Sequence, residues 1–189
     1  MEIFTTSAQE TQKLGQKIAN ILINPDVVLK RSEATNPESG FWTQELRSFA
    51  RMTSREKRKG AMILALYGEL GSGKTTFTQG FARGLGLPDR ILSPTFIVMR
   101  EYSLSAGAFK RLYHIDLYRM ENSGQMADLG FGEIFSNPAN IIVIEWAERL
   151  EKLPRERTDI TFKEDKGGRV IFVKTNFVIA RSEATKQSF

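Results

Sequence analysis

The chain has 189 residues, of which 41% are hydrophobic and none is cysteine, and its formal net charge is +5. This length predicts one domain with its own hydrophobic core, and the absence of cysteine excludes disulfides and thiolate metal sites. No apolar run approaches the ~20 residues that span a bilayer, and residues 1–10 lack the pattern of a secretion signal. We therefore expect a cytoplasmic globular protein without a membrane partner.

The first predicted element is a helix over residues 10–22. The polar run at residues 24–26, Asn-Pro-Asp, ends the pattern, and residues 27–29 have the apolar character of a strand start. The apolar residues of the helix recur at helical spacing, and they are Leu14, Ile18, Ile21 and Leu22.

A polar, charge-rich stretch then extends over residues 30–59. It is long for a connection inside a compact domain, which predicts either a surface insertion or a disordered arm. The pentapeptide at residues 31–35 recurs letter for letter at residues 181–185, which favours translated repetitive DNA over coincidence. We therefore predict a single domain over residues 1–175, a surface insertion at residues 30–59, and a disordered or poorly packed extension at residues 176–189.

Much of the positive charge is concentrated in residues 47–59. Such a run is typical either of a nucleic-acid contact or of a solvated loop. One basic run without an aromatic platform is weak evidence for nucleic-acid binding, so we favour the solvated loop.

The most informative motif is the complete G-x-x-x-x-G-K-[ST] phosphate-binding loop at residues 68–75, GELGSGKT. Its glycines allow successive backbone N–H groups to turn toward a phosphate chain. Lys74 would bring a positive charge to the β- and γ-phosphates, and the Thr75 hydroxyl would bind Mg²⁺. We therefore predict that ATP and Mg²⁺ bind at the loop, whose residues are Gly68, Glu69, Leu70, Gly71, Ser72, Gly73, Lys74, Thr75 and Thr76.

The flanking residues provide the strand and the helix that this motif requires. Residues 61–67 form a short apolar run, as expected for a parallel strand that is buried on both faces. Over residues 75–85, Phe77, Phe81 and Leu85 recur every four residues, and glycines follow as stop signals. A chance glycine-rich turn is therefore the weaker interpretation.

The remaining elements are predicted from apolar runs and turn residues. Strands are predicted over residues 95–102, 109–116, 141–144, 158–162 and 169–174, and a helix over residues 126–135. The Lys-Gly-Gly sequence at residues 166–168 predicts a hairpin between the last two strands. The expected fold is α/β: a P-loop NTPase-like mixed sheet flanked by helices, with an antiparallel C-terminal hairpin.

Polar side chains at strand ends are the candidate catalytic groups, because ligands of open α/β folds bind at the carboxyl ends of strands. Glu145 follows the apolar strand at residues 141–144, where a carboxylate would hold Mg²⁺ or polarise the attacking water. A structural salt bridge is the alternative for that carboxylate. Asp116 is the second candidate acid, and Thr95 would serve as a switch hydroxyl that senses the γ-phosphate. His114, the only histidine, is by itself more typical of a packed strand residue.

Five motifs, taken together, resemble the TsaE family of small bacterial ATPases, which act in tRNA threonylcarbamoyladenosine biosynthesis. The order and spacing of these motifs are those of the family, and the resemblance covers about residues 4–25 and 61–175. Residues 30–59 have no counterpart in the family pattern. The motifs are GELGSGKTT at residues 68–76, SPTF at 93–96, YHIDLYR at 113–119, DLG at 128–130 and IEW at 144–146.

The resemblance implies a P-loop ATPase that is slow alone and is stimulated in a complex. Its partners would be a TsaD-type transferase and a TsaB-type companion, with tRNA bound through the complex. The transferase forms N6-threonylcarbamoyladenosine next to the anticodon, and the ATPase cycle would reset the complex between turnovers.

The resemblance also implies roles for individual residues. Thr75 and Glu145 would bind Mg²⁺, Thr95 would act as the switch residue, and Asp116 would be a catalytic or metal-linked acid. Two further positions, Thr11 and Arg169, match family positions near the nucleotide. His114, Tyr118, Arg119 and Trp146 would shape the site or the partner face, without a specific role for the imidazole.

Two other functions also fit a phosphate-binding loop. One is a small-molecule P-loop kinase, against which the chain shows no Arg-rich lid and no acceptor-binding segment after the core. The other is a nucleotide-gated binding module with negligible turnover, in which Glu145 and Asp116 would only hold a metal ion.

Overall fold

The computed structural model describes residues 1–24, 59–88, 91, 93–94, 97–105, 107–120 and 131–176. Within these ranges the chain forms three α-helices: α1 (Ala8–Ile23), α2 (Lys74–Gly84) and α3 (Phe131–Ser136). It also forms seven strands: β1 (Glu2–Thr5), β2 (Met62–Tyr67), β3 (Met99–Ser103), β4 (Arg111–Asp116), β5 (Asn140–Glu145), β6 (Arg157–Asp165) and β7 (Gly168–Asn176). None of the helices in the described ranges is long and apolar enough to cross a membrane.

The strands form one sheet in the order β1-β7-β6-β2-β5-β4-β3. The central strands β6, β2, β5 and β4 are parallel, whereas the β1–β7, β7–β6 and β4–β3 pairs are antiparallel. All six residues of β5 are buried, which explains its continuous apolar run, since helices and loops cover both faces of a parallel sheet. The predicted α/β mixed sheet with a C-terminal hairpin is confirmed.

Each face of the sheet carries its own apolar core. On β2, Met62 and Leu64 face the core that includes α1 and α2, whereas Ile63 and Ala65 face the core on the side of α3. The alternation follows from the two-residue period of a strand. Burial of each such aliphatic side chain contributes about 1.5–3 kcal/mol to folding.

The α1 and α2 helices lie in direct backbone contact on one face of the sheet. A Cβ atom at Gly80 would lie 2.0 Å from the Gln12 carbonyl oxygen, and a Cβ at Gly15 would lie 2.3 Å from the Phe77 carbonyl oxygen. Only glycine permits this approach, so α1 supports the helix that follows the phosphate-binding loop.

The N-terminus of α1 is capped in both directions. The Ser7 hydroxyl accepts a hydrogen bond from the Glu10 N–H (3.2 Å), and the Glu10 carboxylate accepts one from the Thr6 N–H (2.7 Å). The Thr6 hydroxyl also donates to this carboxylate, at 3.0 Å. The two hydrogen bonds from Thr6 hold the pKa of the Glu10 carboxyl below its usual range. The cap explains why α1 begins at Ala8, two residues before the predicted start.

The strand predicted over residues 95–102 is shorter in the structure and begins at Met99. The N–H groups of Ile97 and Val98 both donate to the Pro94 carbonyl oxygen, at 2.9 and 2.7 Å. Val98 also has φ of 65°, a left-handed conformation that a strand does not allow. At residues 97–98 a turn therefore replaces the predicted strand.

Two further differences concern the ends of the chain. No strand was predicted for the residues of β1, which pair with β7 in an antiparallel register. Asn176, predicted as the first residue of the extension, is instead the last residue of β7. Its side-chain amide donates to the Asp159 carboxylate at 2.6 Å, so the domain continues to residue 176.

Several predictions lie outside the described residues and stay predictions. They concern residues 27–29, the insertion at residues 30–58, the first part of the predicted helix at residues 126–130, and the extension at residues 177–189.

Candidate nucleotide-binding site

The phosphate-binding loop connects the end of β2 to the start of α2. Three of its glycines have positive φ values, 137° at Gly68, 81° at Gly71 and 102° at Gly73, which L side chains rarely adopt. At Gly68 a Cβ atom would also lie 2.5 Å from the Phe162 carbonyl oxygen of β6. The loop leads directly into the N-terminus of α2, where free N–H groups and the helix dipole favour an anion.

A cavity of about 260 Å³ opens at the carboxyl ends of β2, β4 and β5. It contains most of the predicted loop, both predicted acids and two aromatic side chains. The lining residues are Leu70, Gly71, Gly73, Lys74, Thr75, Thr76, Asp116, Tyr118, Glu145 and Trp146.

Lys74 is buried at the base of this cavity, with an exposed fraction of 5%. Its ammonium donates to the carbonyl oxygens of Gly68 and Glu69 and lies 3.9 Å from the centroid of the Trp146 ring, within cation–π range. Burial lowers the pKa of Lys74, and nearby carboxylates, Glu145 first among them, act in the opposite direction. A phosphate group would supply the full negative charge that these neutral partners lack.

Glu145 ends β5 and is buried, with an exposed fraction of 1%. Its Oε2 accepts a hydrogen bond from the Thr75 hydroxyl at 2.7 Å, and its Oε1 accepts one from the Thr78 hydroxyl at 3.2 Å. The Nε2 atom of His114 lies 2.8 Å from the same Oε1. The carboxylate is therefore held between α2 and β4, with Oε2 against the residue that follows the loop lysine.

Asp116 lies beside Glu145 at the same level of the sheet, since the two residues pair in the β4–β5 register. Its Oδ1 accepts from the Tyr118 N–H at 3.0 Å, and its Oδ2 accepts from the Ser93 hydroxyl at 2.9 Å. Ser93 precedes Pro94 and Thr95, so the second acid contacts the start of the predicted switch segment. Thr95 itself lies outside the described residues.

The arrangement around Thr75 and Glu145 fits a bound Mg²⁺ ion. A hydroxyl and a carboxylate oxygen lie 2.7 Å apart at the wall of the cavity, and Mg²⁺ prefers such oxygen ligands. Within the described ranges, no group of three His, Cys, Asp or Glu side chains could hold a metal ion. Mg²⁺ in nucleotide sites is usually held by one or two protein oxygens together with phosphates and water.

Two residues predicted to contact the nucleotide, Arg169 and Thr11, differ in their distance from the loop: Arg169 lies against it, whereas Thr11 does not line the cavity. Arg169 packs on the loop, because a Cβ atom at Gly73 would lie 3.1 Å from its Nε. Thr11 is buried and does not line the cavity; its hydroxyl lies 3.1 Å from that of Thr5. Thr5 pairs with Arg169 across β1 and β7, so Thr11 is connected to the loop through these two residues.

The remaining loop residues differ in exposure. The Glu69 side chain is exposed, and its backbone carbonyl oxygen accepts a hydrogen bond from Lys74 at 2.9 Å. Leu70 is 68% exposed at the mouth of the cavity, whereas Ser72 is buried. Thr76 lines the cavity beside Thr75.

The sequence analysis missed Thr78, which binds both the Glu145 carboxylate and the Lys74 carbonyl oxygen (3.0 Å). The spacing of Thr78 could have identified it, because residues three apart on a helix lie on one face and Thr78 lies three residues after Thr75. Tyr118 and Trp146 form an aromatic wall, with ring centroids 5.2 Å apart.

Comparison with known proteins agrees with this geometry. The family model described as "Threonylcarbamoyl adenosine biosynthesis protein TsaE" matches residues 42–171. The tRNA threonylcarbamoyladenosine biosynthesis protein TsaE of Bacillus subtilis is 41% identical over 121 residues, which are 64% of this chain and 72% of that protein. The protein of the same name from Haemophilus influenzae is 30% identical over 133 residues, which are 69% of this chain and 82% of that protein.

A solved structure is also similar. The crystal structure of Bacillus subtilis YdiB has a TM-score of 0.60 and 29% identity, and the similarity covers 93% of this chain and 85% of that one. The family match begins at residue 42, which is inside the segment predicted as an insertion.

Proposed function

Because this chain belongs to the TsaE family, we propose that it is the Mg²⁺-dependent, ATP-hydrolysing component of the complex that forms N6-threonylcarbamoyladenosine next to the anticodon of tRNA. The observation that carries the proposal is the hydrogen bond of 2.7 Å between Thr75 and Glu145. It joins the end of a phosphate-binding loop to a buried carboxylate at a strand end, which is the pair of groups that a P-loop NTPase uses to hold Mg²⁺.

ATP binding would rest on the loop and Lys74. The glycine conformations of the loop and the N-terminus of α2 favour a phosphate chain. Lys74 would exchange its carbonyl partners for β- and γ-phosphate oxygens, and the negative charge would compensate the burial of its ammonium. Arg169, which packs on Gly73, is a second cation available to the nucleotide.

Hydrolysis would rest on the two acids and the switch residue. When bound, Mg²⁺ neutralises charge on the transferred phosphoryl group, and Thr75 and Glu145 would hold it. Asp116 accepts a hydrogen bond from Ser93, which precedes Thr95 by two residues, and this contact would couple the acid to the switch residue. We propose Glu145, Asp116 and Thr95 as the catalytic residues.

The proposed partners are a TsaD-type transferase and a TsaB-type companion, with tRNA bound through the complex. The names of the relatives support a role in this modification. Turnover would be slow in the isolated chain and faster in the assembly.

The test combines nucleotide affinity with turnover. ADP and ATP affinities would be measured by calorimetry, and turnover would be measured with and without the two partner proteins and tRNA. Lys74→Ala should severely weaken nucleotide binding and turnover, because it removes the buried cation from the phosphate site. Lys166→Ala, on the exposed turn between β6 and β7, is the control that should leave both unchanged.

Three outcomes would contradict the proposal. Unchanged affinity and turnover in Lys74→Ala would show that the nucleotide does not bind at this loop. Transfer of the γ-phosphoryl group to a small-molecule acceptor would indicate a kinase. ATP binding without turnover, even in the complete assembly, would indicate a nucleotide-gated binding module.

A further inference from the structure

His114 lies directly behind the carboxylate of Glu145. It is the only histidine of the chain, and its side chain is fully buried on β4. Its Nε2 lies 2.8 Å from Oε1 of Glu145. The imidazole does not line the cavity, so it reaches the nucleotide site only through the carboxylate.

The two oxygens of Glu145 have different surroundings. Oε1 is held by His114 and by the hydroxyl of Thr78, whereas Oε2 contacts the hydroxyl of Thr75. Because a carboxylate is rigid and planar, fixing Oε1 also fixes the direction of Oε2. The orientation of the oxygen that faces Thr75 is therefore set from the buried side.

The chemistry of this contact assigns the proton of the imidazole. An ionised carboxylate only accepts hydrogen bonds, and a neutral imidazole donates from one nitrogen and accepts at the other. Nε2 must therefore carry the proton. In the part of the chain that the structure describes, Nδ1 is buried without a hydrogen-bond partner, so a proton there would have no acceptor.

Arg100 supports the same assignment from the neighbouring strand. It lies directly opposite His114 in the β3–β4 register, where side chains of an antiparallel pair share one face. Its Nε is also buried and lacks a partner among the described residues. A guanidinium has no acceptor atom, so this neighbour offers no partner for a proton on Nδ1.

We propose that His114 is a positioning residue for the magnesium site: its Nε2–H holds Oε1 of Glu145 and thereby directs Oε2 toward Thr75 and the ion. The inference rests on the proposed function, because it requires Mg²⁺ at Thr75 and Glu145. Groups that orient a metal ligand in this way typically change metal affinity or activity by roughly 10- to 100-fold when they are removed.

A matched pair of substitutions tests the donor itself. His114→Gln keeps an N–H donor at a similar distance from the backbone, whereas His114→Met has a similar length and no donor. Both remove the ring, so both should lower thermal stability to a similar extent. The readouts are the ADP affinity with and without Mg²⁺, measured by calorimetry, and turnover in the complete assembly.

We expect His114→Met to lose roughly 10- to 100-fold of the Mg²⁺-dependent part of ADP affinity, with a matching loss of turnover. His114→Gln should retain most of both, and ADP affinity without Mg²⁺ should be unchanged in both variants. Two results would overturn the proposal: His114→Met behaving like the wild type, or both variants losing Mg²⁺ dependence equally.

Nuclear magnetic resonance provides a readout that needs no nucleotide. Because the untagged chain has one histidine, a long-range ¹H–¹⁵N spectrum shows one imidazole. We expect a proton on Nε2, with a shift of the Nε2 resonance in Glu145→Gln. An Nε2 without a proton, or an imidazole unaffected by Glu145→Gln, would overturn the assignment. If the wild-type protein binds no Mg²⁺-nucleotide, the proposed function is wrong. The imidazole spectrum tests the contact between His114 and Glu145 independently of that result.

Discussion

At the scale of single residues, the site consists of buried polar groups that hydrogen-bond to one another and to the loop backbone. Lys74 contacts loop carbonyl oxygens, and Glu145 contacts two threonine hydroxyls and an imidazole. Such groups need partners, because an unpaired buried charge is costly. The same bonds hold each group in the place where a Mg²⁺-nucleotide would use it.

The buried position of Lys74 predicts a pH dependence of nucleotide binding. Only the protonated ammonium attracts phosphate, and burial lowers the pKa of Lys74 from its usual range. Nucleotide affinity should therefore be complete at neutral pH and fall as alkaline pH approaches the lowered pKa, earlier than an exposed lysine would allow. Calorimetry with ADP from neutral to alkaline pH measures this fall. The residual ADP binding of Lys74→Ala should show no such fall at alkaline pH. Identical pH profiles for the wild type and Lys74→Ala would contradict the prediction.

Glu145→Gln should separate binding from hydrolysis. The substitution removes the charge of the proposed metal ligand and keeps its shape, while the remaining amide oxygen can still accept from His114 and Thr78. We expect measurable ATP binding, a folded protein, and turnover reduced to a small fraction of the wild-type rate. The measurement is ATP hydrolysis in the complete assembly, alongside calorimetry. If turnover stays at the wild-type rate, Glu145 is structural and Asp116 becomes the leading candidate acid.

At the scale of elements, α1 packs closely against α2, the helix that follows the phosphate-binding loop. The loop has few side chains of its own to hold it, and α2 begins at its lysine. Glycines at the α1–α2 contact bring the two backbones together, so a change at this contact displaces the start of α2 as well as the packing beside it.

Gly80→Ala tests this contact, with Gly132→Ala as the control. A methyl group at Gly80 would lie 2.0 Å from the Gln12 carbonyl oxygen, whereas Gly132 in α3 has no described atom within 4 Å of the added carbon. Gly80→Ala should lower the free energy of unfolding by about 1–3 kcal/mol or more and also weaken ADP binding. Gly132→Ala should be neutral or slightly stabilising, since alanine favours a helix. Urea unfolding measures both, and equal effects of the two substitutions would refute the close contact.

At the scale of the whole molecule, the antiparallel strands at one edge of the sheet bring distant parts of the chain to the loop. The N-terminal amine donates to the Val173 carbonyl oxygen at 2.9 Å. The pairing of β1 with β7 places Thr5 beside Arg169, which packs on the loop. Both ends of the described domain therefore contribute to one site.

The predicted insertion leads to a test on the intact fold. Replacing residues 30–59 with a short Gly/Ser linker should preserve folding and ADP affinity, because loop-closure entropy changes by only about 0.6 kcal/mol per doubling of length. Replacement of residues 30–41 alone is the matched control, since the family match begins at residue 42. Thermal unfolding and calorimetry compare the two variants. Loss of folding or of nucleotide affinity only in the longer replacement would show that residues 42–59 belong to the domain.

If the basic run at residues 47–59 contacts tRNA or a partner, the longer variant should bind that assembly less tightly and with a smaller salt dependence.

The sequence by itself determined the parts of the protein that depend on local pattern. The spacing of Gly68, Gly73 and Lys74 identifies a phosphate-binding loop, because each residue type has a separate conformational or electrostatic task within eight positions. The apolar runs before Asp116 and Glu145 predicted strands, and ligands of open α/β folds bind at the carboxyl ends of strands. Each of these patterns spans only a few residues. The expected function came from the family motifs taken together.

Only the tertiary structure decided which side chains meet across the fold. Three hydrogen bonds to Glu145 come from α2 and β4, and they involve Thr75, Thr78 and His114. Arg169 of β7 packs on the loop at Gly73. The strand β1 also had no local signal, because its place depends on an edge that β7 provides. A pattern along the chain indicates which face of an element a residue lies on. The hydrogen bonds of Glu145 with His114 and Thr78, which are 31 and 67 positions away in sequence, depend instead on how whole elements pack.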